Sequence, residues 1–156
     1  MEKKPDARDF ARELAREALR SGIVAGLAMI PFAALFRALD LRVNEYGRKT
    51  LELLVGDVSG PLQYLLTFGQ HLAISCMAAV PLLLLLDHVA SRGTRLFVGT
   101  VYGAIFYVAI NSLALPFAFG DLTPWELGFA TVYPSLTIHL VYGFVVALVA
   151  RPGIAR

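Results

Sequence analysis

Charge is what this chain lacks. Only 17% of its 156 residues are Asp, Glu, Lys or Arg, against about 25% in soluble domains. Four stretches, 21–36, 61–86, 96–120 and 127–150, carry none of them. A water-soluble globule is excluded on that ground. The net charge of +2 is too small for a nucleic-acid binder of this size, so no nucleic-acid partner is expected. With one cysteine, Cys76, no internal disulfide is possible. Enzyme signatures are missing too: the chain has no phosphate-cradling glycine loop, no G-x-S-x-G and no H-E-x-x-H. No catalytic residue is singled out. A catalytic zinc needs three protein ligands and the apolar runs offer only two histidines, so no metal ligands are assigned either.

What the chain has instead is apolar length. Hydrophobic residues make up 57% of it, and the mean hydropathy is +0.64. A bilayer's hydrocarbon core is about 30 Å thick and takes about 20 apolar residues as a helix. The last three charge-free runs meet that length. The first meets it once extended to Leu39, with Arg37 reaching the headgroups. The reading is all-α: one integral membrane domain over 1–156, a four-transmembrane-helix bundle with spans at about 21–39, 61–86, 96–119 and 127–150. A cleaved leader is not expected, because the leading charges are mixed and no small-x-small pattern follows.

Two further helices are expected outside the spans. Over 6–20, Ala7, Phe10, Ala11, Leu14 and Ala18 form an apolar stripe beside acidic (Asp9, Glu13, Glu17) and basic (Arg8, Arg12, Arg16, Arg20) ladders. That predicts an amphipathic interfacial helix, started at Pro5-Asp6 with Asp6 as cap, running into the first span. In the first loop, Leu51, Leu54, Val55 and Val58 recur at helical spacing and predict a short interfacial helix. Asp87-His88 and Ser91-Arg92-Gly93 make a tight turn, with His88 a solvated loop residue. If the termini are cytoplasmic, ten Lys and Arg lie inside and four outside. The positive-inside rule therefore sets a multi-pass inner (plasma) membrane protein with both termini cytoplasmic. Trp125, Tyr64 and Tyr133 suit an outer aromatic belt.

Small residues mark where membrane helices approach closely. Gly22 and Gly26, Gly99 and Gly103, and Gly143 and Ala147 are such pairs, each four apart. Polar residues continue these stripes: Gln63, Thr67, His71 and Ser75; Tyr107 and Asn111; Ser135 and His139. Polar side chains in a span face the bundle interior. His71 and His139 lie roughly 15 and 18 Å deep and Asn111 roughly 10 Å. The two histidines share a layer if the second and fourth spans face each other.

Three uses of this layer compete. The first is an interhelical hydrogen-bonded cluster in a non-enzymatic protein that acts as a subunit, assembly partner or membrane-condition factor. The second is a b-type haem for electron transfer, with His71 and His139 as axial ligands. The third is a small-solute or proton path through the cluster, using histidine's near-neutral titration. Against the third, no carboxylate lies in any span, whereas pumps combine His with Asp or Glu. The bilayer is the expected partner, with a homo-oligomer or another membrane protein beside it.

The glycine-spaced first helix, the four spans and the run His139-Leu140-Val141-Tyr142-Gly143 resemble small uncharacterised four-helix bacterial inner-membrane proteins of the YagU-like kind. That resemblance implies the same architecture and transfers no catalytic residue.

Overall fold

A computed structural model describes residues 6–43 and 46–151. Lys3, Lys4, Pro5 and Arg156, which entered the reading above, lie outside the described residues. Among the described residues there is no strand. The elements are α1 (Ala7–Ala38), α2 (Tyr46–Val55), α3 (Gly60–Asp87), α4 (Arg92–Phe106), a π-helical segment (Tyr107–Ala114), α5 (Leu115–Phe119), α6 (Pro124–Leu127) and α7 (Phe129–Val149). Four helical stretches are long and apolar enough to cross a membrane: α1, α3, α7 and the continuous run Arg92–Phe119. The chain is thus built as a small multi-pass membrane protein.

The expected amphipathic helix and first span are one uninterrupted helix, α1, which passes through Pro31. It begins after Asp6, whose side chain makes no capping bond. The loop-one helix is shorter than the spacing predicts. Gly56 takes a left-handed φ of 80° and ends it at Val55, so Val58 falls outside. Leu51 is buried, while Leu53 and Leu54 are exposed.

Glycine determines which helices pair. A Cβ on Gly22 would sit 2.6 Å from Cys76 Cα, and one on Gly26 2.8 Å from Ser75 Oγ, so α1 lies flush on α3. A Cβ on Gly143 would collide with the Gly99 carbonyl oxygen, and one on Gly99 with the Gly143 carbonyl oxygen. That reciprocal contact joins α4 to α7. The α7 helix lies between α1 and α4 and is the most buried of the four. The second and fourth spans touch more lightly, through Tyr142, whose hydroxyl donates to Ser75 O at 2.5 Å.

The apolar core sits toward the termini. Ala18 and Ala25 of α1, Ala79, Leu82, Leu83 and Leu86 of α3, and Val146 and Ala147 of α7 compose it. Toward the loops the outer surface is strongly apolar: Phe117 is 91% and Phe129 78% exposed. Apolar area of this size outside water contributes about 25 cal/mol per Å², which is the drive for placing it in lipid.

Candidate functional site

The third span positions the polar layer through a break in its own regularity. Pro116 has no N–H to give, and its ring presses on the carbonyl four residues back, that of Ser112. The turns just before it widen: Leu115 N–H bonds back to Ile110 O, five residues away. Segments of π-helix are rare and recur at functional sites. Here the widened turns keep Tyr107 and Asn111 directed at α7, on the face that Gly99 and Gly103 begin. Neither residue pattern nor proline placement had predicted a π-helix; Pro116 following polar Asn111-Ser112 is the signal that carried it.

Asn111 Nδ2 donates to His139 Nε2 at 2.7 Å. His139 Nδ1–H in turn donates to Ser135 O at 2.6 Å, one turn back in α7. Those two bonds fix the neutral tautomer with the proton on Nδ1. The imidazole is enclosed by aromatic rings, with Tyr107 at 5.5 Å and Phe106 at 6.1 Å between centroids. Tyr107 also meets Trp125 in an edge-on contact at 6.3 Å. The hydroxyls of Tyr107 and Ser112 are buried, and neither has a hydrogen-bond partner among the described residues.

His71 takes a different partner. Its Nε2–H donates to Gly26 O of α1 at 3.0 Å, and Ser75 hydroxyl donates to His71 O at 2.8 Å. Glycine at position 26 allows this, since a side chain there would fall on Ser75. The two imidazoles are thus each bonded to a different helix. Of the predicted cluster, His139, Asn111, Ser135 and Tyr107 form one group, and His71 and Ser75 a second, whose Ser75 O accepts from Tyr142 of α7. Thr67 stands apart, beside Gly47 of α2, and Gln63 is half-buried near the start of α3.

An axial haem would need both Nε2 lone pairs free. Both Nε2 atoms are engaged, and Gly103 packs so closely on His139 O that a single methyl would not fit between them. The donor set therefore does not fit a haem between these helices.

The Glu17–Arg20 rung of the predicted ladder is there, but the burial of Glu17 and the role of Arg95 escaped sequence reasoning. Glu17, 2% exposed, holds Arg20 in a fork, Nε at 3.0 Å and Nη2 at 2.5 Å, and accepts from Arg151 N–H at 2.8 Å. Arg20 also donates to Val149 O. Arg95 donates to Leu86 O at 2.8 Å and Ala150 O at 3.2 Å. Together they satisfy carbonyls that the last turns of α3 and α7 leave open. His88, expected to be solvated, is exposed and donates to Leu84 O of the same α3 end.

At the opposite end Lys49 Nζ meets both oxygens of Asp121, at 2.7 and 2.5 Å. It lies 5.9 and 5.6 Å from the stacked Tyr46 and Phe119 rings. Burial, and then the Asp121 charge, push the Tyr46 phenol above its ordinary range. Thr123 and Glu126 form a reciprocal capping box at α6, whose bonds from Thr123 hold the Glu126 carboxyl below the usual carboxylate range. Comparison with known proteins adds nothing to this geometry: no family model, curated protein or solved structure matches the chain.

Proposed function

We propose that this is a non-enzymatic subunit or assembly partner of a bacterial inner-membrane system, of the YagU-like kind, with both termini cytoplasmic. The observation that carries it is how the histidines are used. His139 has both ring nitrogens and His71 its Nε2 in bonds between or along helices, which is the use expected of a packing cluster. Interhelical bonds of this kind contribute about 0.6 kcal/mol each, enough to fix helix register. The orientation rests on the ten-to-four excess of Lys and Arg on the termini side.

Extraction in mild detergent followed by mass measurement tests the role. The chain should run in a defined assembly heavier than its own 17.0 kDa. A stable single chain that turns over a lipid or peptide overturns it. For orientation, cysteines placed at Gly93 and Thr123 in a Cys76→Ser background should label from inside and outside respectively; outside labelling at position 93 reverses it.

A proton path is the second reading, favoured by the buried Tyr107 hydroxyl, which has no hydrogen-bond partner among the described residues and is carried on a ring packed against His139. Proteoliposomes carrying the protein would then collapse a pH gradient faster than empty ones, and Asn111→Ala would slow the collapse.

A further inference from the structure

Two hydroxyls of the third span are enclosed by the protein and bonded to none of it. Tyr107 and Ser112 are each 0% exposed, and neither oxygen has a hydrogen-bond partner among the described residues. A buried hydroxyl without a partner destabilises the fold, and native structures keep few of them. Two other phenols of the bundle are served by carbonyls: Tyr102 donates to Ala78 O at 2.7 Å and Tyr142 to Ser75 O at 2.5 Å.

Both unserved hydroxyls belong to the π-helical segment, Tyr107–Ala114. A π-helix bonds each residue to the fifth along, so Tyr107 and Ser112 stand on one face of it. They cannot satisfy each other fully: if one donates to the other, the second proton still has no acceptor. The same turns leave a backbone acceptor open. Leu115 N–H passes over Asn111 O to reach Ile110 O, and Pro116 at the next position has no N–H to give. Asn111 O therefore receives no donor from the backbone of its own helix.

Those groups define what fits. Two hydroxyl protons and one carbonyl call for two lone pairs and a proton, the complement of one water molecule. A larger guest is shut out. The Tyr107 ring is packed against His139 at 5.5 Å and Trp125 at 6.3 Å, and Pro116, one turn on from Ser112, is fully buried as well.

We propose that the π-helical segment binds one ordered water, which accepts from the Tyr107 and Ser112 hydroxyls and donates to Asn111 O. Because Asn111 also donates through its side chain to His139, the water holds the backbone of the residue that fixes the imidazole. The site stands under either role above, and its test involves neither assembly nor transport.

X-ray radiolysis of the full-length protein in detergent, read by mass spectrometry, tests it. With a scavenger removing radicals from bulk solvent, an enclosed water still generates hydroxyl radical where it sits. Tyr107 should then be oxidised several-fold faster than Tyr142, which is as enclosed, at 3% exposed, but bonded to protein. Tyr107→Phe and Ser112→Ala should each lower the melting temperature by about 2–4 °C. The double variant should lose less than the sum, because both hydroxyls serve one guest. A dry pair predicts the reverse, since removing an unbonded buried hydroxyl stabilises the fold. Tyr107 oxidation no faster than that of Tyr142, or a melting temperature unchanged or raised in either variant, overturns the site.

Discussion

At the termini end, Glu17 is 2% exposed and Arg95 7%, and both act on the helix ends they lie beneath. At the loop end, Lys49 and Asp121 keep 44% and 33% of their side-chain surface, and the arginines around them line an open cleft. Both ends pair their charges, but at the first the pairs are enclosed and at the second they stay partly open to solvent. The distinction follows the apolar core. Leu82, Leu83, Leu86 and Val146 are packed close to the Glu17 and Arg95 layer, so charges there are enclosed and must be fully paired. Around Asp121 the helices carry exposed Phe117 and Leu122, and the bridge to Lys49 keeps part of its surface in contact with solvent.

That contrast can be broken by mutation. Glu17→Ala removes the acceptor of Arg20 and of Arg151 N–H. It should cost about 2–3 kcal/mol, below the value for a wholly buried pair because Arg20 is partly exposed. Thermal unfolding in micelles followed by circular dichroism measures it, with Glu13→Ala as the comparison. Equal shifts for the two would mean that Glu17 is only one more rung of a surface ladder. Arg95→Met, which leaves Leu86 O and Ala150 O without their donor, should cost about 2 kcal/mol, read from the denaturant midpoint. No change would place those carbonyls in water.

At the loop end the effects should be smaller. A double-mutant cycle of Lys49→Met and Asp121→Asn should give a coupling of about 0.5–1 kcal/mol, shrinking in high salt. A coupling as large and salt-insensitive as that of Glu17 would erase the difference between the ends. The smallest effect is acid-dependent. Because the Glu126 carboxyl is held low in the folded chain, its capping contribution is present above the unfolded carboxyl's range and lost as pH falls through the lowered folded value. Emission from the adjacent Trp125 should therefore stay constant through mild acid and change only in stronger acid. Glu126→Gln should abolish that transition; an identical curve in the variant assigns it to another group.

The four spans were legible because membrane thickness imposes a length that composition reveals directly. So were the close contacts at Gly22, Gly26, Gly99, Gly103 and Gly143, since only small residues admit backbones so near. Their partners were not, because a stripe shows a face and not what meets it. His71 and His139 were read onto one layer with Asn111 nearer the loop end, yet Asn111 is the residue that bonds His139, while His71 bonds to Gly26 O. Glu17 and Arg95 were illegible for a plainer reason. An i,i+3 acid–base ladder and a turn arginine have the same pattern whether water or a helix end lies above them. The loop cations informed orientation by their number, while the loop-end geometry depends on a bridge between residues 72 apart.

The widened turns at Tyr107–Ala114 also join the two ends of the molecule in a way that ordinary substitution would not reveal. Each residue of a regular helix advances the direction of its neighbours by about 100°. Were the segment to relax to the regular spiral at its present length, with no residue deleted to compensate, everything beyond it would swing around the axis by about that angle. Gly99 and Gly103 would keep their seat on α7 while Asp121 rotated away from Lys49. The length of this short stretch therefore acts as a phase setting between the packed half of the protein and its charged mouth.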